Sequence, residues 1–314
     1  MLNNYTISAA ILTYSDRREY LIPAISSLLE RNFSKIYVFC NGLSKDVFDS
    51  LNYRFEGQPV DFIISEKNLG SAGGYYQLLK YIAENDDSDY VLLLDDDNSF
   101  ESDGKFSYLD GSDTLFYVNR PSRKAVVATM ASGNAAKILG PKSGFLGRSI
   151  FPSLYEDVCG DTDLLAAPYG GLILPRKVFD LGIFPDVSYF LYADDYAYSY
   201  SLVVKHGFKI KFVDSDRVVD LESSFHLDKK RRLLQNRYMG ANDIQLYYSV
   251  RNQIHFILST CSNKPLFYIN VILFYPVFSA QFILNGAFSK FKLFSSAVKD
   301  GFSMYFRSRG QEPK

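Results

Sequence analysis

The chain contains no tryptophan, and cysteine and histidine occur only three times each among 314 residues. Cys40, Cys159 and Cys261 are widely scattered and odd in number, which excludes a disulfide framework or a cysteine-based metal centre. Each reads as a buried free thiol, in keeping with a reducing cytoplasm. A surplus of charge of either sign is also missing: 34 Lys and Arg face 35 Asp and Glu, so bulk electrostatics gives no case for nucleic acid. The N-terminus has no basic region, and its apolar run from Ile7 to Leu12 is short and ends in TYSDRR. That is not the pattern of a secretory signal, and the expected location is the cytoplasm.

What is present describes a folded protein with a large core. Hydrophobic residues make up 47% and charged residues 22%, and the aromatic share of 16% is all Tyr and Phe. The length suits one large α/β domain with an appendage, or two modest domains. Its centre is VLLLDDDNS, residues 91–99, where four apolar residues run into Asp95, Asp96 and Asp97. The apolar half predicts a strand buried on both faces. The carboxylates would then emerge at its C-terminal end, where open α/β sheets bind ligands. Three adjacent carboxylates repel one another, and a hard divalent cation such as Mg²⁺ or Mn²⁺ relieves that repulsion. The plain alternative is a solvated acidic turn.

Around this stretch the pattern predicts strands at Thr6–Tyr14, Lys35–Cys40 and Asp61–Ser65, with a helix from about Arg17 to Leu29. Asn68 to Gly74 reads as a polar loop leading into a helix, with Gly70, Gly73 and Gly74 allowing close approach of a ligand or of packed backbone. Its spacing is not G-x-G-x-x-G, so it is no dinucleotide fingerprint. Residues 98–124 read as a surface excursion, Lys124–Met130 as a returning strand, and 132–163 as a loop bordering a cleft. LILP after Tyr169-Gly170-Gly171 is another strand, and Phe208–Val213 a last one. Strands alternating with helices form a doubly wound nucleotide-binding half.

A second acidic pair, Asp194-Asp195, lies at a helix start, where the helix dipole favours negative charge. Flanking aromatics give the pair another use, because an apolar setting raises a carboxylate towards the range of a general base. His226 stands alone before the basic run Lys229–Arg232, which could fold over a diphosphate or form a solvated helix face. Residues 266–284 are strongly apolar, and Lys290, Lys292, Lys299, Arg307 and Arg309 follow among phenylalanines. We read aromatic helices in a membrane interface; an oligomerisation surface and a single spanning helix are the competing readings.

In this order, TYSDR, CNG, NLGSAGGYYQLL, LLLDDDN, YGGLILP, FLYADDYAYS, the His of SSFHLDK and YYSVRN resemble the family-2 glycosyltransferases of GT-A fold over about residues 5–255. The likeness is greatest to the galactofuranosyltransferase and rhamnosyltransferase branches. It implies a Rossmann-like mixed sheet flanked by helices over 1–258, with a donor half (1–98), an acceptor and catalytic half (99–258), and a C-terminal aromatic, basic helical region over 259–314. It implies that Thr13, Tyr14, Arg17, Asn41, Asn68, Gly70, Gly73, Gly74, Asp95 and Asp96 bind the nucleotide-sugar. Asp95, Asp97 and His226 would hold Mn²⁺ or Mg²⁺. Asp195 would be the base, supported by Asp194, and Tyr169, Gly170, Gly171 and Tyr192 would meet the acceptor. Cys40 stands where the family often has Asp, and Ala197 and Ser201 where it tends to carry an acid and an Arg.

The implied reaction is inverting transfer from UDP-galactofuranose to a lipid-linked glycan of a surface polysaccharide, at the inner face of the cell membrane. A dTDP-rhamnose donor, a metal-dependent phosphohydrolase or nucleotidyltransferase, and a non-catalytic scaffold are the alternatives. Nucleotidyltransferases of this fold usually carry a basic Gly-rich loop after the first strand, and TYSDRRE has no glycine. A homo-oligomer is compatible with the sequence.

Overall fold

The computed structural model describes residues 5–157, 160–222 and 236–311. The chain forms two compact units, one of Met1–Ile138, Gly160–Phe190 and Asp194–Ser223, the other of Leu139–Cys159, Leu191–Ala193 and Ser224–Lys314.

The first unit is built on an eight-stranded mixed sheet flanked by helices. It starts with β1 (Ile7–Tyr14), α1 (Arg18–Leu29), β2 (Ile36–Asn41), α2 (Lys45–Arg54), β3 (Val60–Ser65), α3 (Gly70–Asn85) and β4 (Tyr90–Asp95). There follow β5 (Asn98–Glu101), β6 (Leu115–Asn119), α4 (Lys124–Ser132), β7 (Leu172–Pro175), α5 (Arg176–Asp180), α6 (Asp194–Val204) and β8 (Ile210–Asp220). The sheet order is β3-β2-β1-β4-β7-β6-β8-β5. The first four strands are parallel, β7 is antiparallel to both β4 and β6, and β6 runs parallel to β8. β1, β2 and β4 are almost wholly buried, as expected of apolar runs covered by helices on both faces. The chain winds outward from β1 to β3 and then returns to place β4 on the other side of β1. That reversal makes a switch point at the C-terminal ends of β1 and β4.

Three expectations are corrected here. Lys124–Met130 is not a strand but most of α4, which buries only Val126 and Thr129, three residues apart, and leaves Val127 half exposed. The local β-branched preference yields to tertiary context, and Gly133, at φ 63°, closes the helix with its N–H on the Met130 carbonyl. The vacant strand positions are filled by β5 and β6 within residues 98–124, where Leu115, Phe116, Tyr117 and Val118 are core. Between β2 and β3 the chain inserts α2, which turns only Val47 and Leu51 inward and so has a weak periodic signal.

The second unit contains α7 (Asp243–Thr260), α8 (Lys264–Leu284) and α9 (Phe288–Gln311). A capping box starts α7: the Asn242 side chain accepts from the Gln245 N–H at 2.8 Å while Gln245 accepts from the Asn242 N–H at 3.1 Å. α9 packs closely on α7 at Gly301, where a Cβ would fall 2.6 Å from the Arg251 carbonyl oxygen. α8 joins through an aromatic cluster centred on Phe294, with Tyr275, Phe278 and Phe282 at ring separations of 5.6, 6.0 and 5.4 Å.

Candidate active site

Each of the three aspartates that end β4 has a separate environment. Asp96 turns inward and is 4% exposed; it accepts from Thr13 Oγ1 at 2.8 Å and from Arg17 Nε at 2.9 Å. Thr13 and Arg17, expected at the nucleotide, are therefore engaged with this carboxylate. Arg17 also reaches Glu222 at 2.7 Å. Its guanidinium lies over the rings of Tyr14 and Tyr20, leaving Tyr14 the exposed ring at the end of β1.

Asp95 meets Arg120, a residue the sequence reading passed over and one of the largest fully buried side chains. Arg120 Nη1 donates to Asp95 Oδ2 at 3.0 Å and Nε to Asp220 Oδ1 at 2.7 Å. Asn98, also fully buried, accepts from the Asp95 N–H and donates to both Asp97 and Asp220, and the Ser122 hydroxyl donates to Asp220. Gly170 is pressed onto this group, and a Cβ there would lie 2.2 Å from Arg120 Nη1 and 2.3 Å from Asn98 Oδ1. Gly171, at φ 101°, ties the turn to the sheet through its N–H on the Leu93 carbonyl.

The glycines of NLGSAGG do not form a loop before the helix; they are the first turn and a half of α3. Asn41 Oδ1 accepts from the Leu69 N–H, and its amide donates to Asn68 and to the Gly70 carbonyl. Asn41 and Asn68 thus fix the start of α3. Gly70 is required twice over: its φ is +72°, and a Cβ would sit 2.1 Å from the Phe190 carbonyl oxygen. Gly73 and Gly74 are buried, and Gly74 admits Leu12 of β1 against the helix.

α3 in turn holds the second acidic pair. Ser71 Oγ donates to Asp194 Oδ2 at 2.7 Å, and Asp194 is 4% exposed at the start of α6. Asp195 is the more accessible of the two, and its Oδ1 accepts the Tyr196 N–H at 2.8 Å. Burial pushes both carboxyls up; the Asp195 charge adds to the rise at Asp194, and Asp95 adds to it at both. Arg123 and Arg120 oppose the rise at Asp195. Asp95 and the Asp194-Asp195 pair, about a hundred residues apart in sequence, thus lie within electrostatic range of one another.

Tyr169 is a correction. It was expected to offer a ring to the acceptor, but it is 4% exposed, its ring tilted against that of Tyr75 at a centroid separation of 4.0 Å, with Tyr198 at 6.2 Å. Tyr192 belongs to the second unit, within Leu191–Ala193. There Asn252 donates to the Leu191 and Tyr192 carbonyls at 2.7 and 2.9 Å and accepts from Arg251 Nε at 2.7 Å. Tyr192 and Ala193 have φ above 60°, a strained backbone that the Asn252 amide holds through the Leu191 and Tyr192 carbonyls. That gives YYSVRN a role which its letters did not disclose.

A divalent cation can be tested against this geometry. Among the described residues nothing hydrogen-bonds Asp95 Oδ1 or Asp97 Oδ2; the cation nearest Asp97 Oδ2 is Arg17 at 4.0 Å. Two free carboxylate oxygens suit Mn²⁺ or Mg²⁺, which complete their shells with water and phosphate. His226 and the basic run Lys229–Arg232 lie outside the described residues, and no group of three or more His, Cys, Asp or Glu placed to hold a metal occurs among those described.

Burial and the neighbouring Asp95 push Asp97 up to about 7, and burial pushes Asp96 up to about 6 despite Arg17. The folded chain therefore binds these protons more tightly than the unfolded chain, whose carboxylates titrate near ~4. The resulting penalty is absent below the unfolded value and fully present above about 7. In chelator, the melting temperature should fall between pH 5 and pH 8, and Mn²⁺ should restore it at pH 8. A melting temperature that rises over that interval in chelator would contradict the assigned burial of Asp96 and Asp97.

No family model matches the chain, and no curated protein does. Among solved structures it is similar to GalNAc-T7 with UDP, GalNAc and Mn²⁺, at a TM-score of 0.52 and 12% identity, over 82% of this chain and 48% of that one. It is also similar to S. aureus TarS 1-349, at a TM-score of 0.49 and 11% identity, over 98% of this chain and 93% of that one. The chain spans about half the length of GalNAc-T7. At such identity the likeness establishes the fold: the first unit has the GT-A arrangement, a mixed sheet with its acidic strand end at the switch point.

Proposed function

We propose that the chain is a glycosyltransferase that moves a sugar from a nucleotide-sugar to an acceptor hydroxyl with inversion. The observation that carries this reading is the approach of Asp95, at the C-terminal end of β4, to the Asp194-Asp195 pair at the start of α6. It is supported by a fold shared with an enzyme solved with UDP, GalNAc and Mn²⁺.

In this reading Asp195 takes the proton of the acceptor hydroxyl as that oxygen bonds to the anomeric carbon. The bond from that carbon to the diphosphate breaks, and the nucleoside diphosphate departs with the electron pair. A raised carboxylate suits the first role, because a base working near neutral pH transfers protons best when its own affinity is close to ambient. Asp194, held by Ser71, is the more strongly raised of the two and keeps its own proton, which leaves Asp195 to take the acceptor's. Arg120 and Asn98 fix Asp95, and Tyr14 offers its exposed ring to the base or ribose. Asp95 and Asp97 would hold Mn²⁺ or Mg²⁺, which when bound offsets charge on the diphosphate. With Asp195 as the one base, direct displacement gives inversion.

The finer identity follows the resemblance of the NLGSAGG and triple-Asp motifs: a UDP-galactofuranose donor and a lipid-linked glycan acceptor, used at the inner face of the cell membrane. A donor panel tests it. Purified chain with Mn²⁺ is offered UDP-galactofuranose, UDP-galactopyranose and dTDP-rhamnose with a synthetic lipid-linked sugar, and the product anomer is read by NMR. Transfer from the furanose donor with inverted configuration supports the reading. Use of dTDP-rhamnose would replace the donor, and a retained configuration would remove the single-displacement mechanism.

A further inference from the structure

The outward face of α8 carries no charged residue from Pro265 to Leu284. Tyr268, Ile269, Ile272, Leu273, Val277 and Leu284 recur there at steps of one, three, four and seven, and Ile272 and Leu284 are 71% and 70% exposed. From Tyr268 to Leu284 the stripe is ~24 Å long. Water-facing apolar patches of such extent mark a partner or a membrane.

By length and composition α8 could cross a bilayer, with a mean hydropathy of 1.7. Its other face argues against a span. Phe267, Phe278 and Phe282 are buried, and fully buried Asn270 fastens a neighbouring loop. Asn270 donates to the Ser143 carbonyl at 3.0 Å and to Ser149 Oγ at 3.2 Å, and its Oδ1 accepts the Ile150 N–H at 3.0 Å. Lifting α8 into hydrocarbon as a lone helix would strand these groups. The fastened loop adds exposed Ile150, Phe151 and Leu154 to the same face of the unit. Between loop and helix lies a cavity of about 520 Å³, whose lining includes Lys142, Phe151, Leu154, Asp157, Leu266 and Ile269.

Charge selects the occupant. From Lys264 to Gln311 there are six Lys and Arg and one carboxylate, Asp300, which accepts from the Tyr247 hydroxyl at 2.9 Å. Lys292, Lys299, Arg307 and Arg309 are exposed. Because the whole chain is close to neutral, this positive charge is concentrated here. A two-fold contact with a second copy would set that excess against itself. An anionic phospholipid surface neutralises it, at ~1 kcal/mol per basic residue near the surface.

We propose that the outer stripe of α8, with the 150–154 loop, lies in the headgroup region of an anionic phospholipid bilayer, parallel to its plane. The apolar side chains enter the acyl boundary and the basic residues of α9 meet lipid phosphates. This rests on the second unit alone and reads no sugar transfer, so it stands or falls apart from the proposed reaction.

Vesicle flotation of the full chain tests it, with phosphatidylcholine alone and mixed with phosphatidylglycerol. The chain should float with the mixed vesicles and bind phosphatidylcholine or high-salt samples at least ~10-fold more weakly. Ile272→Asp with Leu284→Asp should lower binding by ~100-fold, since each loses a buried aliphatic side chain, with an unchanged melting temperature. Equal binding by wild type and this double variant would overturn the proposal. So would a wild type that binds neither vesicle but is a dimer which the double variant converts to monomer, because the face would then belong to a second copy.

Discussion

Asp195→Asn should reduce kcat by ~10²–10⁴-fold, the usual contribution of a positioned general base, while leaving the donor KM within about twofold. The amide preserves the shape of the carboxylate, and its oxygen can still accept the Tyr196 N–H. What is lost is the capacity to take a proton. The melting temperature should hold or rise, because a charge is removed from beside Asp194 and Asp95. This separates catalytic loss from misfolding. Asp194→Asn should behave differently: Ser71 can still donate to the amide oxygen, and because Asp194 holds its proton more tightly than Asp195, the amide stands in for the protonated acid. The acid limb of kcat/KM should therefore stay near its wild-type pH, with a smaller loss in the plateau rate than Asp195→Asn shows. An Asp195→Asn variant that retains wild-type turnover would place the base elsewhere.

Arg120→Ala should be the most destabilising single change in the first unit. Arg120 is 1% exposed and its guanidinium joins Asp95 and Asp220, which in turn share Asn98. Removing it leaves Asp220, 8% exposed at its side chain, without its cation. Breaking a buried pair of this kind costs ~3–5 kcal/mol, or on the order of 10 °C for a domain of this size. Arg120→Lys should not rescue it, because one ammonium cannot bridge both carboxylates in the plane of the fork. Adding Asp220→Asn to Arg120→Ala should recover part of the loss, and a double-mutant cycle of melting curves measures the coupling. Additive losses would show that the two side chains do not act as a pair.

The parallel half of the sheet was legible because burial on both faces leaves an unbroken apolar run, and β1, β2 and β4 each have one. The acidic strand end was legible for the same reason: Leu94 passes directly into Asp95. Strands that share their burial with turns were harder to see. β6 is five residues long and lies in a polar stretch, and α4 carries β-branched residues that only the rest of the fold could turn into a helix.

At the site, the carboxylates were visible and the groups that hold them were not. Arg120 follows no motif, since its partners Asp95 and Asp220 lie 25 and 100 residues away. Tyr169 was expected at the acceptor only through the resemblance carried by YGGLILP. Its burial against Tyr75 is a long-range fact that no local pattern records. Gly70 and Gly170 were legible as glycines of consequence, but the reason in each case is a distant atom, the Phe190 carbonyl or the Arg120 guanidinium.

The measurement that bears most directly on the central claim is nucleotide-sugar binding by titration calorimetry, in Mn²⁺ and in chelator, for wild type and Asp97→Asn. The account predicts saturable binding of a UDP-sugar in Mn²⁺ that weakens at least ~10-fold in chelator and in the variant. Wild-type protein that is folded, holds Mn²⁺ and binds neither UDP- nor dTDP-sugars would contradict it.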